Sequence, residues 1–127
     1  MANYGIVSLE ELAAAIPDGA KLAVPANYSG IAMAATIALI RRGIRHLHLV
    51  CVPVSGLQAD MLIGAGAVDT IETSGVTLGE LGTAPRFVDA VRKGTIRLKQ
   101  CPGGQNSVRV KMVVDDDRSC PASLRFR

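Results

Sequence analysis

Between Asp18 and Lys99, apolar runs alternate with helix-patterned segments, and nothing else in the chain constrains its fold as strongly. The clearest unit is the run Lys21–Pro25, the loop Ala26–Asn27–Tyr28–Ser29–Gly30 and the helical pattern Ile31–Arg42. The next is His46–Val52, the junction Pro53–Val54–Ser55–Gly56 and the segment Leu57–Gly64, with the helical reading centred on Ala59–Gly66. A strand over Val68–Thr73, a helix opened by Ala84–Pro85–Arg86–Phe87 and running to Lys93, and a strand over Thr95–Lys99 complete the series. Apolar runs joined through helices pair in parallel, and runs as continuously apolar as His46–Val52 imply a sheet covered on both faces. The expected fold class is α/β: an open, mainly parallel sheet of about four strands with helices on both faces. Ligands of such sheets sit outside the carboxyl ends of the strands, so loops 26–30, 53–57 and 74–84 form the candidate site.

The helix boundaries carry local signals. Ser8 and Glu11 form a capping box before Leu12–Ile16, and Pro17 with Asp18–Gly19 turns the chain into the first strand. The second helix ends in Arg41–Arg42 and stops at Gly43, where cations meet the negative helix end and glycine supplies the left-handed cap. Its interior, from Ile31 to Ile40, offers only Thr36 as a polar residue, so two packed sides, or a second protein chain, are expected to cover it.

Length and composition bound the function. The 127 residues are 49% hydrophobic, enough for one core, and only 3% aromatic, so the core is aliphatic and offers no base-stacking platform for nucleic acid. Net charge is +3, of which residues 1–100 carry +1 (nine Lys/Arg against eight Asp/Glu), leaving no basic patch of nucleic-acid type. No apolar run approaches the ~20 residues that span a bilayer, and Met1–Gly5 lacks a signal-peptide pattern, so a cytoplasmic protein without membrane contact is expected. Cys51 reads as a small buried hydrophobe, and Cys101 and Cys120 would pair only under oxidising conditions.

Candidate binding residues lie at the strand ends: Asn27, Ser29 and Gly30 in the first loop, Ser55 and Gly56 in the second, Ser74 and Gly75 in the third. The competing reading is that these are turn-formers satisfied by local backbone hydrogen bonds. Gly64–Ala65–Gly66 follows a helix rather than a strand, which makes it a helix exit and not a dinucleotide fingerprint. His46 and His48 share a sheet face but have no third ligand nearby, and Asp115–Asp117 lacks other oxygen donors, so no metal is expected. No GxSxG elbow is present. Glu72 is the one acidic residue weighed as a nucleophile, against the plainer role of a strand-end carboxylate.

Several of these pieces together resemble the A-type subunit of the family I CoA-transferases, the group that includes glutaconate and 3-oxoacid CoA-transferases. They are Ser8–Glu11, Asp18–Gly19, Leu57–Gly66, Leu78–Gly79, Ala84–Phe87 and Arg92–Ile96, spread over roughly residues 6–100. Two features depart from the family: the first loop reads Pro25–Ala26–Asn27 where Gly-Gly-Phe is usual, and residues 101–127 do not look like the continuation of an A-type chain. The expected organisation is therefore a core over 1–100 and an atypical tail over 101–127, from truncation, an altered reading frame or divergence. The resemblance implies a ping-pong transfer of CoA between carboxylic acids, with coenzyme A as substrate and no bound cofactor. The attacking Glu would belong to a partner B subunit, desolvated and faced by oxyanion donors. A hetero-oligomer, with self-association, is then expected. Two readings compete with it: a non-catalytic module binding a small anion or bracing another chain, and a sugar-phosphate isomerase-like domain. The latter needs a basic phosphate cradle, and Arg86 is the sole cation near a loop mouth.

Overall fold

Local chemistry starts the first helix where the sequence places it. Ser8 accepts from the Glu11 N–H at 3.2 Å while the Glu11 carboxylate accepts from the Ser8 N–H at 2.8 Å, and α1 (Leu9–Ala15) follows. The computed structural model describes residues 5–27, 30–52 and 54–99. After α1 come β1 (Lys21–Pro25), α2 (Met33–Arg42), β2 (Leu47–Val52), α3 (Leu57–Gly64), β3 (Val68–Glu72), a short 3-10 turn at Gly79–Leu81, α4 (Pro85–Lys93) and β4 (Arg97–Lys99). Ser29, Cys101, Cys120, the alternating stretch Val108–Met112, Asp115–Asp117 and the rest of the expected tail lie outside the described residues.

Several boundaries shift for identifiable reasons. α2 begins at Met33 rather than Ile31, because the Met33 N–H closes a tight turn onto the Ile31 carbonyl at 2.9 Å. α3 occupies Leu57–Gly64 and not Ala59–Gly66, since Gly66 takes a left-handed φ of 69° and its N–H turns back to Ile63. β2 starts at Leu47 because His46 has a φ of 61°, which breaks the extended run. β4 starts at Arg97, with the Thr95 N–H still engaged on the Ala90 carbonyl of α4.

The four strands pair in parallel in the order β1-β2-β3-β4. Sequential order with crossovers of one hand puts α2, α3 and α4 on the same face of the sheet. Packing agrees: α1 lies on α2, α2 on α3 and α3 on α4. Leu22, Val24, Leu47, Leu49, Cys51 and Ile71 point into this layer, where they join Ala13, Leu39, Leu62 and Ala90 in the core. On the opposite face stand Lys21, Ala23, His48, Thr70, Glu72, Arg97 and Lys99, exposed or half-buried. The α/β class and the open parallel sheet are those the sequence indicates. A second helical layer is not found among the described residues.

Polar locks align the helices. Thr36, the one polar residue of α2's apolar stretch, is buried; it donates to the Ala32 carbonyl and accepts from Gln58 Nε2 at 2.9 Å, tying α2 to α3. The outer surface of α2 instead shows Ala34, Ile37 and Arg41. Asp60, only 1% exposed, accepts from the Phe87 N–H at 2.9 Å and from Arg86 Nη1 at 3.2 Å, which fixes the start of α4 on α3.

Candidate functional site

Three strand ends converge on Asn27. Its Oδ1 accepts from the Leu57 N–H at 3.0 Å, at the start of α3, and its Nδ2 donates to the Thr77 carbonyl at 3.3 Å. One side chain thus joins the loops after β1, β2 and β3. Gly56 permits this approach, because a Cβ there would overlap the Asn27 amide. Beyond β2, Ser55 pairs with Val76 as an isolated parallel bridge: the Ser55 N–H donates to the Gly75 carbonyl at 3.4 Å and the Thr77 N–H to the Ser55 carbonyl at 2.9 Å. Thr73 holds the next turn from inside, its hydroxyl donating to the Gly75 carbonyl and accepting from the Gly75 N–H.

Of the residues singled out by sequence, Asn27, Ser55, Gly56 and Gly75 are brought together in this clamp. Ser74 is exposed beside Gly75, and Gly30 is exposed with a φ of 64°. Thr77 and Thr73 are not legible as members from sequence: one contributes a main-chain carbonyl and the other a buried hydroxyl, neither marked by spacing. Ser55 is 1% exposed, and its hydroxyl oxygen has no hydrogen-bond partner among the described residues. Cys51 lies close by, its thiol pushed up to about 11 by burial against weaker opposing contacts from Thr73 and Ser55. At neutral pH it is a thiol and no nucleophile.

Glu72 stands elsewhere, on the open face of the sheet. Its Oε1 accepts from His48 Nε2 at 2.8 Å and lies 3.4 Å from Lys21 Nζ. Partial burial pushes this carboxyl up, yet Lys21 and His48 outweigh it and hold the group below the usual range. Partial burial draws His48 below its ordinary value near 6.5, against the pull of Glu72 and with Lys21 and Lys99 adding to the depression. A neutral His48 donating through Nε2 to an ionised Glu72 satisfies both directions. The carboxylate is engaged by two donors across β1, β2 and β3, and it is not aimed at the strand-end loops.

The clamp residues Asn27, Ser55, Gly56, Thr73, Gly75 and Thr77 contain no ionisable side chain. Such a site can shape a pocket mouth and offer amides and hydroxyls, and an attacking group has to come from outside it. Among the described residues no group of three or more His, Cys, Asp or Glu is arranged to hold a metal, and no helix is long and apolar enough to cross a membrane.

No family model and no curated protein matches the chain. Among solved structures, it is similar to a variant of the decarboxylase AibA/AibB, with 31% sequence identity over 74% of this chain and a TM-score of 0.64. The chain spans 37% of the length of that neighbour's chain.

Proposed function

We propose that this chain is the A-type component of a CoA-transferase-like enzyme, supplying substrate-holding loops to a nucleophile carried by a partner B subunit. The observation that carries the reading is the Asn27 clamp: three strand-end loops are locked together, without an ionisable side chain, where an α/β sheet binds its ligand. The spread of family-like segments over residues 6–100 supports it, as does the likeness to AibA/AibB, whose name joins two components. The acyl group of a CoA thioester would meet Asn27, Ser74 and Gly75, with Gly30 exposed in the first loop and Ser55 and Gly56 supporting them from beneath. Within this reading Glu72 holds the sheet face, and the chain alone has no turnover.

The neighbour's activity favours a second reading: the assembled enzyme decarboxylates its acid instead of moving CoA. Both readings need the same loops, and product analysis separates them. Purified chain mixed with acetyl-CoA and a panel of short acids is expected to form no new thioester and release no carbon dioxide. Ligand-observed NMR should still detect binding of acetyl-CoA, and Asn27→Ala should weaken that binding by about tenfold or more, the cost of one lost interaction with its loop order. Turnover by the chain alone, abolished by Glu72→Gln, would refute the assignment and make Glu72 the nucleophile.

A further inference from the structure

The loops at the strand ends carry almost no charge. Residues 26–30, 53–57 and 74–84 hold one charged side chain, the exposed carboxylate of Glu80, and no cation. The first cation after the third loop, Arg86, is already paired with Asp60 at 3.2 Å. Helix starts are the other feature with which a parallel α/β sheet attracts anions, through free N–H groups and the positive end of the dipole. Each start beside the clamp carries a side-chain acceptor from within the chain. Asn27 Oδ1 takes the Leu57 N–H at the start of α3, and Asp60 Oδ1 takes the Phe87 N–H at 2.9 Å in the first turn of α4. Asp60 also sets a carboxylate in the first turn of α3 itself.

Apolar surface stands on the same loops. Leu57, whose N–H Asn27 engages, is 41% exposed, and Leu81 is 84% exposed. Leu81 lies at the tip of the loop that leaves the clamp through Thr77, and main-chain bonds fix that tip. The Leu78 N–H donates to the Gly82 carbonyl at 2.8 Å, the Thr77 hydroxyl donates to the same carbonyl at 3.1 Å, and the Gly79 N–H donates to the Thr77 hydroxyl at 3.2 Å. From this pattern we infer that the strand-end site accepts an uncharged aliphatic acyl thioester and excludes acyl groups that carry a second carboxylate. The inference rests on the reading of the clamp as an acyl-CoA site and adds the class of acyl group it takes. A terminal carboxylate entering these loops loses water, finds no cation in exchange and approaches Glu80. A terminal methyl has no such cost and gains contact with Leu57 and Leu81. The same lack of cations leaves the nucleotide phosphates of CoA without a charged partner on these loops, so the acyl–pantetheine end is what they recognise.

Butyryl-CoA and succinyl-CoA test this, because they share a chain length and end in a methyl and a carboxylate. Ligand-observed NMR with the full chain at pH 7 should show butyryl-CoA binding at least about tenfold more tightly than succinyl-CoA. Butyryl-pantetheine, which lacks the nucleotide, should bind within about threefold of butyryl-CoA. Leu81→Arg, at an exposed position, should leave the thermal unfolding midpoint in place and bring succinyl-CoA to within about threefold of butyryl-CoA. Succinyl-CoA bound as tightly as butyryl-CoA, with Asn27→Ala weakening both, would overturn the inference and leave the acyl-CoA reading standing. An unchanged preference in Leu81→Arg would place the acyl end away from these loops and overturn it as well. So would butyryl-CoA binding without butyryl-pantetheine binding, which moves recognition to the nucleotide. Failure of all three thioesters to bind would overturn the acyl-CoA reading and the inference with it.

Discussion

At the scale of single residues, the chemistry separates into a neutral clamp and a charged sheet face. The clamp explains why small residues crowd the strand ends: Gly56 leaves the space that the Asn27 amide fills. The small residues point to this place, whereas the partners of Asn27 are main-chain groups that every sequence carries, so their pairing is not legible. Cys51 gives a direct check. With its thiol raised to about 11 and buried, iodoacetamide at pH 8 should leave Cys51 unmodified in the folded chain and label it on unfolding, read by peptide mass spectrometry. The sheet face predicts a pH response. His48 is depressed from its ordinary value near 6.5, so the unfolded chain binds the proton more readily, and stability falls as pH drops below 6.5. Glu72 is depressed from 4.5, so its contribution is present above that value and lost as pH falls further. Denaturant unfolding across pH 4–8 should show both losses, and His48→Gln should flatten the upper one. Stability rising on acidification through pH 6 would contradict the arrangement.

At the scale of elements, the strand–helix alternation is legible because its two periods differ so strongly, and every expected strand and helix within residues 8–99 is present. The shifted ends have tertiary causes, such as the turn onto Ile31 and the Thr95 bond to Ala90, which local pattern does not encode. Thr36 is the sharpest lesson: read from sequence it is the lone polar residue on an apolar helix, yet it faces inward to Gln58. The α3–α4 contact shows another tertiary device. Arg86 reaches the buried Asp60 by crossing directly over Gly64, where a Cβ would overlap the arginine's methylenes. Gly64→Ala is therefore expected to destabilise the chain by about 1–3 kcal/mol through overpacking. With Arg86→Ala already present, the same change should stabilise by up to about 1 kcal/mol, because alanine is the better helix former. Urea unfolding of the four members of this cycle measures the coupling, and additive effects would show that the crossing does not constrain α3.

At the scale of the whole molecule, the open sheet face and its charge govern association. The apolar content of β2 leads to an expectation of cover on both faces, but whether that cover belongs to the same chain is not written in a strand's own residues. The apolar residues Ala23, Pro25 and Val52 on that face favour self-contact, and the surplus of Lys21, Arg97 and Lys99 over Glu72 opposes it. Which of the two wins depends on salt. The screening length is about 10 Å at 0.1 M and about 3 Å at 1 M, so cation repulsion between two such faces survives in dilute buffer and collapses in concentrated salt, while apolar attraction persists. Light scattering of the isolated chain should therefore report a mass near 13.3 kDa in dilute buffer and a rising mass as sodium chloride is added. Hydrophobic dye should bind at low salt and be displaced as the mass rises. Arg97→Glu should bring association to lower salt, because it lessens the like charge on the face. A mass unchanged from dilute buffer to 1 M salt, with no dye bound at either end, would show that the face is already covered within one chain.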